Sequence, residues 1–250
     1  MFGYIMFRTL RFRIRKFLFQ GVVLAVLGVR RWVNFTRIQE YKSIPLERQR
    51  RALMTTVDFI EKNMRLLDSV GSKNELLTKS FKVADVSGNR LICEFGVFMG
   101  HSVNHIAKMT SQRVFGFDSF QGLPEGWLDI WKVGSFAVPK PPKVRANVTL
   151  VKGWFNESLP GFLKENPGDV GYLHVDSDLY SSAKTIFEQL EPRLKPGAVI
   201  VFDEYFNYPE WEQGEHKAFT EFLERTGYTV EYLGYARNEE QVAVILREKK

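Results

Sequence analysis

The sequence predicts an α/β fold, a mostly parallel sheet with helices on both faces, and three observations carry that prediction. Short apolar runs recur from residue 91 onward: Leu91–Phe95, Val114–Phe117, Val148–Val151, Val170–Val175 and Ala198–Phe202. Helical segments His101–Met109, Ser158–Glu165 and Tyr180–Leu194 fall between them. Strands that alternate with helices are crossover units, and crossover units build parallel sheets. After a helix over Glu215–Arg225, Tyr228–Tyr235 and Gln241–Leu246 follow as a closing hairpin pair, which makes seven strands. Lys195-Pro196-Gly197 ends a helix just before a strand, a place suited to Pro and Gly.

The 250 residues suit one such domain with extra helix, and a 44% hydrophobic content supplies its core. The lone cysteine, Cys93, excludes an internal disulfide and a cysteine-built zinc site. It sits in an apolar run and reads as a buried structural thiol. The net charge of +6 is local: residues 1–51 carry +10 and the remainder −4. That distribution argues against a nucleic-acid groove across the main body.

Residues 1–45 form a basic and apolar arm. Arg8, Arg11, Arg13, Arg15 and Lys16 precede the apolar run Phe17–Val29, and Arg30 and Arg31 close it. The run is shorter than the about 20 apolar residues of a spanning helix. Three readings stand: a helix in the membrane interface, through residues 1–33; a helix packed on the body or on a second copy in a homo-oligomer; and a signal anchor. A cytoplasmic chain, membrane-associated in the first reading, is the expected location.

Residues 46–250 form the main domain, with N-terminal helices over 46–89 and the catalytic core over 90–250. In residues 46–79, Leu53, Val57, Ile60, Met64 and Leu67 recur at helical spacing and predict one apolar face. Residues 119–147 are interrupted by Gly122, Pro124, Gly126, Gly134, Pro139, Pro141 and Pro142, with Trp127 and Trp131 among them. A loop this long in a compact domain is usually functional or disordered, and its aromatics suit a lid or a substrate wall. A loop simply packed on the surface is the plainer reading.

The chemistry begins at Glu94-Phe95-Gly96-Val97-Phe98-Met99-Gly100-His101-Ser102, which follows a predicted strand and opens a helix. Its glycines let the backbone turn tightly and approach a ligand. Open α/β sheets bind ligands at this carboxyl edge. The spacing is not the Gly-x-Gly-x-x-Gly of nicotinamide enzymes. Asp118 ends the second strand, about twenty residues on, where an acid can accept hydrogen bonds from ribose hydroxyls.

Val114–Pro124, with Gly116-Phe117-Asp118-Ser119-Phe120-Gln121-Gly122-Leu123-Pro124, resembles the signature of the macrocin O-methyltransferase (TylF/MycF) family. Val151–Pro160 is similar to that family's Lys-Gly-x-Phe segment. His174-Val175-Asp176-Ser177-Asp178-Leu179-Tyr180 and Phe202-Asp203-Glu204-Tyr205 resemble its two acidic motifs. The resemblance covers roughly residues 90–225. It implies a Rossmann-like class I methyltransferase using S-adenosylmethionine and a divalent metal to methylate a hydroxyl, often on a sugar. Glu94, Gly96, Gly100 and Ser102 would line the methionine end of the cofactor, and Asp118 its ribose. Ser119 and the Gly153-Trp154-Phe155 turn would lie near the adenine.

The acids point the same way. Asp176 and Asp178 end one predicted strand, Asp203 and Glu204 the next, so a parallel sheet brings them to one edge. Clustered carboxylates raise one another's pKa, and a divalent cation removes that conflict. Oxygen ligands suit magnesium. Asp176, Asp203 and Glu204 are the expected ligands, with Asp176 also counted in the catalytic set. Asp178 either joins them or caps the helix beginning near Tyr180. His216 is the candidate general base, with His101 and His174 as alternatives and an ordinary helical histidine as the rival reading. Trp211 and Tyr205 suit stacking on a sugar ring or plain core packing. Two rival functions stand: a nucleotide-sugar-modifying enzyme of another class, and a membrane-tethered scaffold with a relict cofactor pocket.

Overall fold

A computed structural model of the protein describes residues 42–248, together with Ala25 and Gly28. The basic arm therefore lies outside the described residues. The chain divides into two compact units, residues 1–50 and 51–250. Among the described residues no helix is long and apolar enough to cross a membrane.

The seven strands are β1 (Leu91–Phe95), β2 (Val114–Asp118), β3 (Val148–Lys152), β4 (Val170–Val175), β5 (Val199–Phe202), β6 (Thr229–Tyr235) and β7 (Val242–Arg247). They form one sheet in the order β3-β2-β1-β4-β5-β7-β6. The first five run parallel; β7 is antiparallel to both neighbours. The expected closing pair is thus present, inserted so that its second strand contacts β5. Strand order reverses between β1 and β4, the switch point at which such sheets bind ligands.

The helices are α1 (Ile44–Asn63), α2 (Lys73–Phe81), α3 (His101–Lys108), α4 (Phe155–Glu165), α5 (Tyr180–Leu190) and α6 (Glu215–Thr226). Strand alternation sorts the core into two layers. Cys93, Phe95, Phe117, Leu173, Val175 and Phe202 face α4, α5 and α6 through Leu159, Phe187 and Phe222. Ile92, Val114, Tyr172 and Val201 face α2 and α3 through Leu77, Phe81, Val103 and Ile106. Cys93 is fully buried, and burial pushes its thiol well above the ordinary range.

The helical stretch expected over residues 46–79 is two helices, broken at 64–72. Leu53 and Val57 are exposed, whereas Ala52 and Thr56 are the buried positions of α1. The five-residue apolar face is therefore corrected: Met64 and Leu67 lie beyond the helix end, so helical spacing did not extend to them. The predicted helix over Tyr180–Leu194 likewise ends at Leu190 and tightens into a 3₁₀ turn over Glu191–Arg193, where Pro192 cannot continue an α-helical ladder.

Candidate active site

Two chain turns meet at the carboxyl edge of β1 and β4. Gly96 follows β1 at φ +89°, and a Cβ there would stand 1.6 Å from the carbonyl oxygen of Asp176. No side chain fits this contact, so glycine is required both for its φ and for its missing Cβ. Gly100 caps α3 in the left-handed conformation at φ +78°. The Gly100 amide donates back to the Val97 carbonyl at 2.7 Å, which closes the turn.

Asp118 braces that turn from β2. Its Oδ2 accepts from the amides of Val97 (2.9 Å) and Phe98 (2.8 Å), and its Oδ1 from Phe120 at 2.7 Å. A carboxylate has about four acceptor positions, so these bonds leave capacity for a ribose hydroxyl. Gly153 lies beside it, donating its amide to the Asp118 carbonyl at 3.0 Å. Trp154 then caps α4, and the Phe155 ring meets Phe95 edge-on at 5.2 Å. Ser119 is buried and accepts from the Gln121 amide. The residues expected around the adenine are thus neighbours.

Glu94 and Ser102 sit beneath the turn rather than on it. Glu94 shares the face of Ile92, toward α3, and is 0% exposed. Ser102 Oγ donates to its Oε1 at 3.2 Å, and its Oε2 lies 2.8 Å from His174 Nδ1. The pair follows from register: Glu94 and His174 are direct neighbours across β1 and β4. Burial would lower the imidazole pKa, but Asp203 and Glu94 outweigh it and raise it to about 9. The far nitrogen, His174 Nε2, has no hydrogen-bond partner and stands 3.8 Å from Asp203 Oδ1.

The acids converge as the parallel strands require. Asp176 donates its amide to Phe95 and Asp203 its amide to Val175, each continuing the ladder one step past a strand end. Asp176, Asp203 and His174 each bring one ligand atom within 4.8 Å of the others. Lys73, the first residue of α2, reaches into this group. Its Nζ donates to Asp176 Oδ2 at 2.8 Å and makes an ion-pair contact with Asp203 Oδ1 at 2.6 Å. Burial and the neighbouring Asp203 raise Asp176 to about 6, against the pull of Lys73 and His174. Burial acts upward on Asp203 too, but His174 and Lys73 hold it well below the carboxylate range.

Glu204 stands apart from that donor group. It is buried, its Oε2 has no hydrogen-bond partner, and burial with the surrounding acids pushes it far up. Asp178 does not cap α5: Leu179 holds that position without a side-chain bond, and Asp178 lies at φ +60° in the loop. Burial, then Asp176 and Asp203, raise it to about 7. His216 is ringed by aromatics, edge-on to Phe59, Tyr205 and Trp211 at 5.4, 5.0 and 4.9 Å. Burial lowers it to about 4. Trp211 and Tyr205 are themselves buried, which gives both to core packing. His101 is exposed on α3.

Sequence reading missed Lys73, Glu215 and Glu240. Glu215 is a buried clamp: its Oε1 accepts from the Ser177 amide and hydroxyl, both at 3.0 Å, and its Oε2 from the Glu204 amide at 3.4 Å. It thereby ties together the loops that carry both acidic motifs. Glu240 is raised to about 7 by burial and by Asp203. The one signal was at Lys73, where a cation opens a helix behind the Ser72 cap, against the helix dipole.

The long loop is ordered over this edge. Trp127 and Trp131 pair as a short bridge, and Trp127 packs on the core beside Tyr208 at 5.9 Å. Phe136 meets both Trp131 (4.7 Å) and Phe98 of the glycine turn (5.9 Å). Phe98, Met99, Ile130, Trp131 and Val133 remain exposed, an apolar rim next to the turn.

Comparison with known proteins agrees with this geometry. Residues 93–205 match the model of a methyltransferase domain. The chain is 35% identical to the 8-demethyl-8-(2,3-dimethoxy-alpha-L-rhamnosyl)-tetracenomycin-C 4'-O-methyltransferase of Streptomyces olivaceus, over 38% of this chain and 43% of that one. It is 26% identical to the demethyldecarbamoylnovobiocin O-methyltransferase of Streptomyces niveus, over 51% of this chain and 58% of that one. The chain thus spans about half the length of these curated relatives. Among solved structures, the calicheamicin methyltransferase CalS11 superposes with a TM-score of 0.58 at 24% identity, covering 81% of this chain and 93% of that one. The O-methyltransferase NovP superposes with a TM-score of 0.52 at 21% identity, over 71% and 80%. The chain has the class I methyltransferase fold, and its residues 93–205 match a methyltransferase domain.

Proposed function

We propose that this protein is an S-adenosylmethionine-dependent O-methyltransferase that acts on a hydroxyl of a sugar or glycosylated small molecule. The observation that carries the reading is the contact of Gly96 with the Asp176 backbone. It puts the turn suited to the cofactor and the acids suited to the acceptor on one edge, a short reach apart. The four motifs that resemble those of the macrocin O-methyltransferase family support the same reading, as do the O-methyltransferase relatives. The exposed rim of Phe98, Ile130 and Trp131 suits an acceptor with an apolar part.

The residues fit both groups that the reaction requires. A glycine turn too close for any Cβ, braced by Asp118, suits the cofactor, which supplies an electrophilic methyl group. Asp176 and Asp203 suit a divalent cation; the Nε2 of His174 joins them only as the neutral imidazole, so its ligation would release a proton, and the buried Oε2 of Glu204 is nearby in sequence. Such a cation, when bound, lowers the pKa of an acceptor hydroxyl and orients it. Glu215 holds the two acid-bearing loops at a fixed separation. Asp178, raised to about 7 and at the same edge, suits uptake of the acceptor proton at its carboxylate. His216, cased in aromatic rings and lowered to about 4, is the weaker base. Contact of residues 1–33 with a membrane surface, and assembly with a second copy, rest on sequence alone and are part of this proposal.

The test is methyl transfer from labelled S-adenosylmethionine to a panel of glycosides, with matched aglycones lacking the sugar as controls. Label on the glycosides alone is the expected result. Label on no hydroxyl, despite tight cofactor binding, would favour a scaffold with a relict pocket.

A further inference from the structure

Lys73 lies outside the matched methyltransferase segment, yet its ammonium occupies the centre of the acid group. Three features make this more than a surface ion pair. First, it contacts two carboxylates from two different strand ends, Asp176 at 2.8 Å and Asp203 at 2.6 Å. Second, a fully buried nitrogen without a hydrogen-bond partner, His174 Nε2, lies 3.8 Å from the same Asp203 Oδ1. Third, the helix carries a cost to put it there. A cation in the first turn opposes the helix dipole, yet Ser72 caps the helix and accepts from Glu75, and Glu239 accepts from the Lys73 amide at 3.1 Å. Glu75 in turn accepts from the Gly71 amide at 2.8 Å, so the start of the helix is pinned on both sides.

We infer that Lys73 is the resident counter-ion of the Asp176–Asp203 pair, and that a divalent cation binds these oxygens only by displacing it. The inference rests on the reading of Asp176 and Asp203 as cation ligands. Two carboxylates whose oxygens lie within 4.8 Å of each other repel, and a positive charge between them relieves that repulsion. A lysine ammonium is a compact charge on a flexible stem, able to leave as well as to fill the position. An ammonium and a divalent cation seated on the same two oxygens would lie within a few ångströms of each other, and like charges that close repel, so the two cations compete. The protein then has two states of one edge: a lysine-closed state that keeps the fold intact without metal, and a metal-loaded state in which Lys73 turns outward.

The experiment is Mn²⁺ titration of the full chain, followed by electron paramagnetic resonance of the free ion. Lys73→Met should bind Mn²⁺ about ten- to a hundredfold more tightly than the parent, the equivalent of removing one charge-assisted contact from the ligands. Lys73→Arg, which keeps the charge, should stay near the parent affinity. Asp203→Asn placed on Lys73→Met should lose the gain. Equal affinity in the parent and Lys73→Met, or no Mn²⁺ binding by either, overturns the inference. A second measurement covers the case of an unfolded variant. In the parent chain, reductive methylation of Lys73, read by mass spectrometry, should be slow without metal and rise when Mn²⁺ is added; unchanged labelling overturns displacement. Binding of S-adenosylhomocysteine, measured on the same samples, separates this failure from failure of the methyltransferase reading.

Discussion

Glu94 and His174 show how much one strand register decides. Each is the penultimate residue of its strand and each points toward α2 and α3; Glu94 would be an isolated charge without His174, whereas His174 would keep Asp203 at 3.8 Å. Removing one charge from a buried pair leaves the other uncompensated. Because Asp203 still faces the imidazole, Glu94→Gln should lower stability by roughly 1.5–3 kcal/mol in urea unfolding. A variant as stable as the parent contradicts a charged pair. The pH dependence has a definite sign. His174 is raised from 6.5 to about 9, so its contribution is fully present below 6.5 and is lost as pH rises through about 9. The deficit of Glu94→Gln should shrink over that interval. His216 has the opposite sign. Its pKa falls from 6.5 to about 4, so folding disfavours its protonation, and stability is lost as pH falls from 6.5 toward 4. The melting temperature of His216→Phe should fall less steeply than the parent's over that window; parallel curves contradict a desolvated imidazole.

The glycine turn and the long loop belong to the scale of elements. Gly96→Ala places a methyl against the Asp176 carbonyl at a φ that L-residues avoid. Overpacking and backbone strain together should cost roughly 3 kcal/mol or more. Relief would need the loop carrying Asp176 to move, so cofactor affinity and metal affinity should fall together. A change in only one of them, measured by calorimetry, contradicts the shared edge. Strand positions were legible in the sequence because both faces of a parallel strand are buried and read as unbroken apolar runs. The break between α1 and α2 was not, since Met64 and Leu67 keep helical spacing after the helix has ended. Asp178 read either as a member of the acid group or as a helix cap, and its left-handed φ is a tertiary outcome that no local pattern announces.

At the scale of the whole molecule, the site is assembled from three levels of distance along the chain. The turn after β1 and the acids after β4 and β5 were visible because motifs at strand ends in a parallel sheet must share an edge. Lys73 was hard to read for the complementary reason: beyond a cation at the start of a helix nothing marks it, and its side chain reaches Asp176 across 103 residues of sequence, from a helix that no pattern ties to this edge. Glu215 was hidden in plain view beside His216, one of a pair of which the histidine looked the more reactive. Helix α6 turns the acid inward, to Ser177 and Glu204, and leaves the imidazole among aromatics. Burial, more than residue type, decided which of the two touches the site.

The central claim is that the edge of β1 and β4 is a cofactor site with a separate acid group beside it. Calorimetric titration of S-adenosylhomocysteine into the parent and into Asp203→Asn tests it most directly. One-to-one binding with similar affinity in both is expected, while Asp203→Asn loses Mn²⁺ binding and methyl transfer. No binding of S-adenosylhomocysteine by the folded parent, or saturable binding of a nicotinamide dinucleotide in its place, would contradict it.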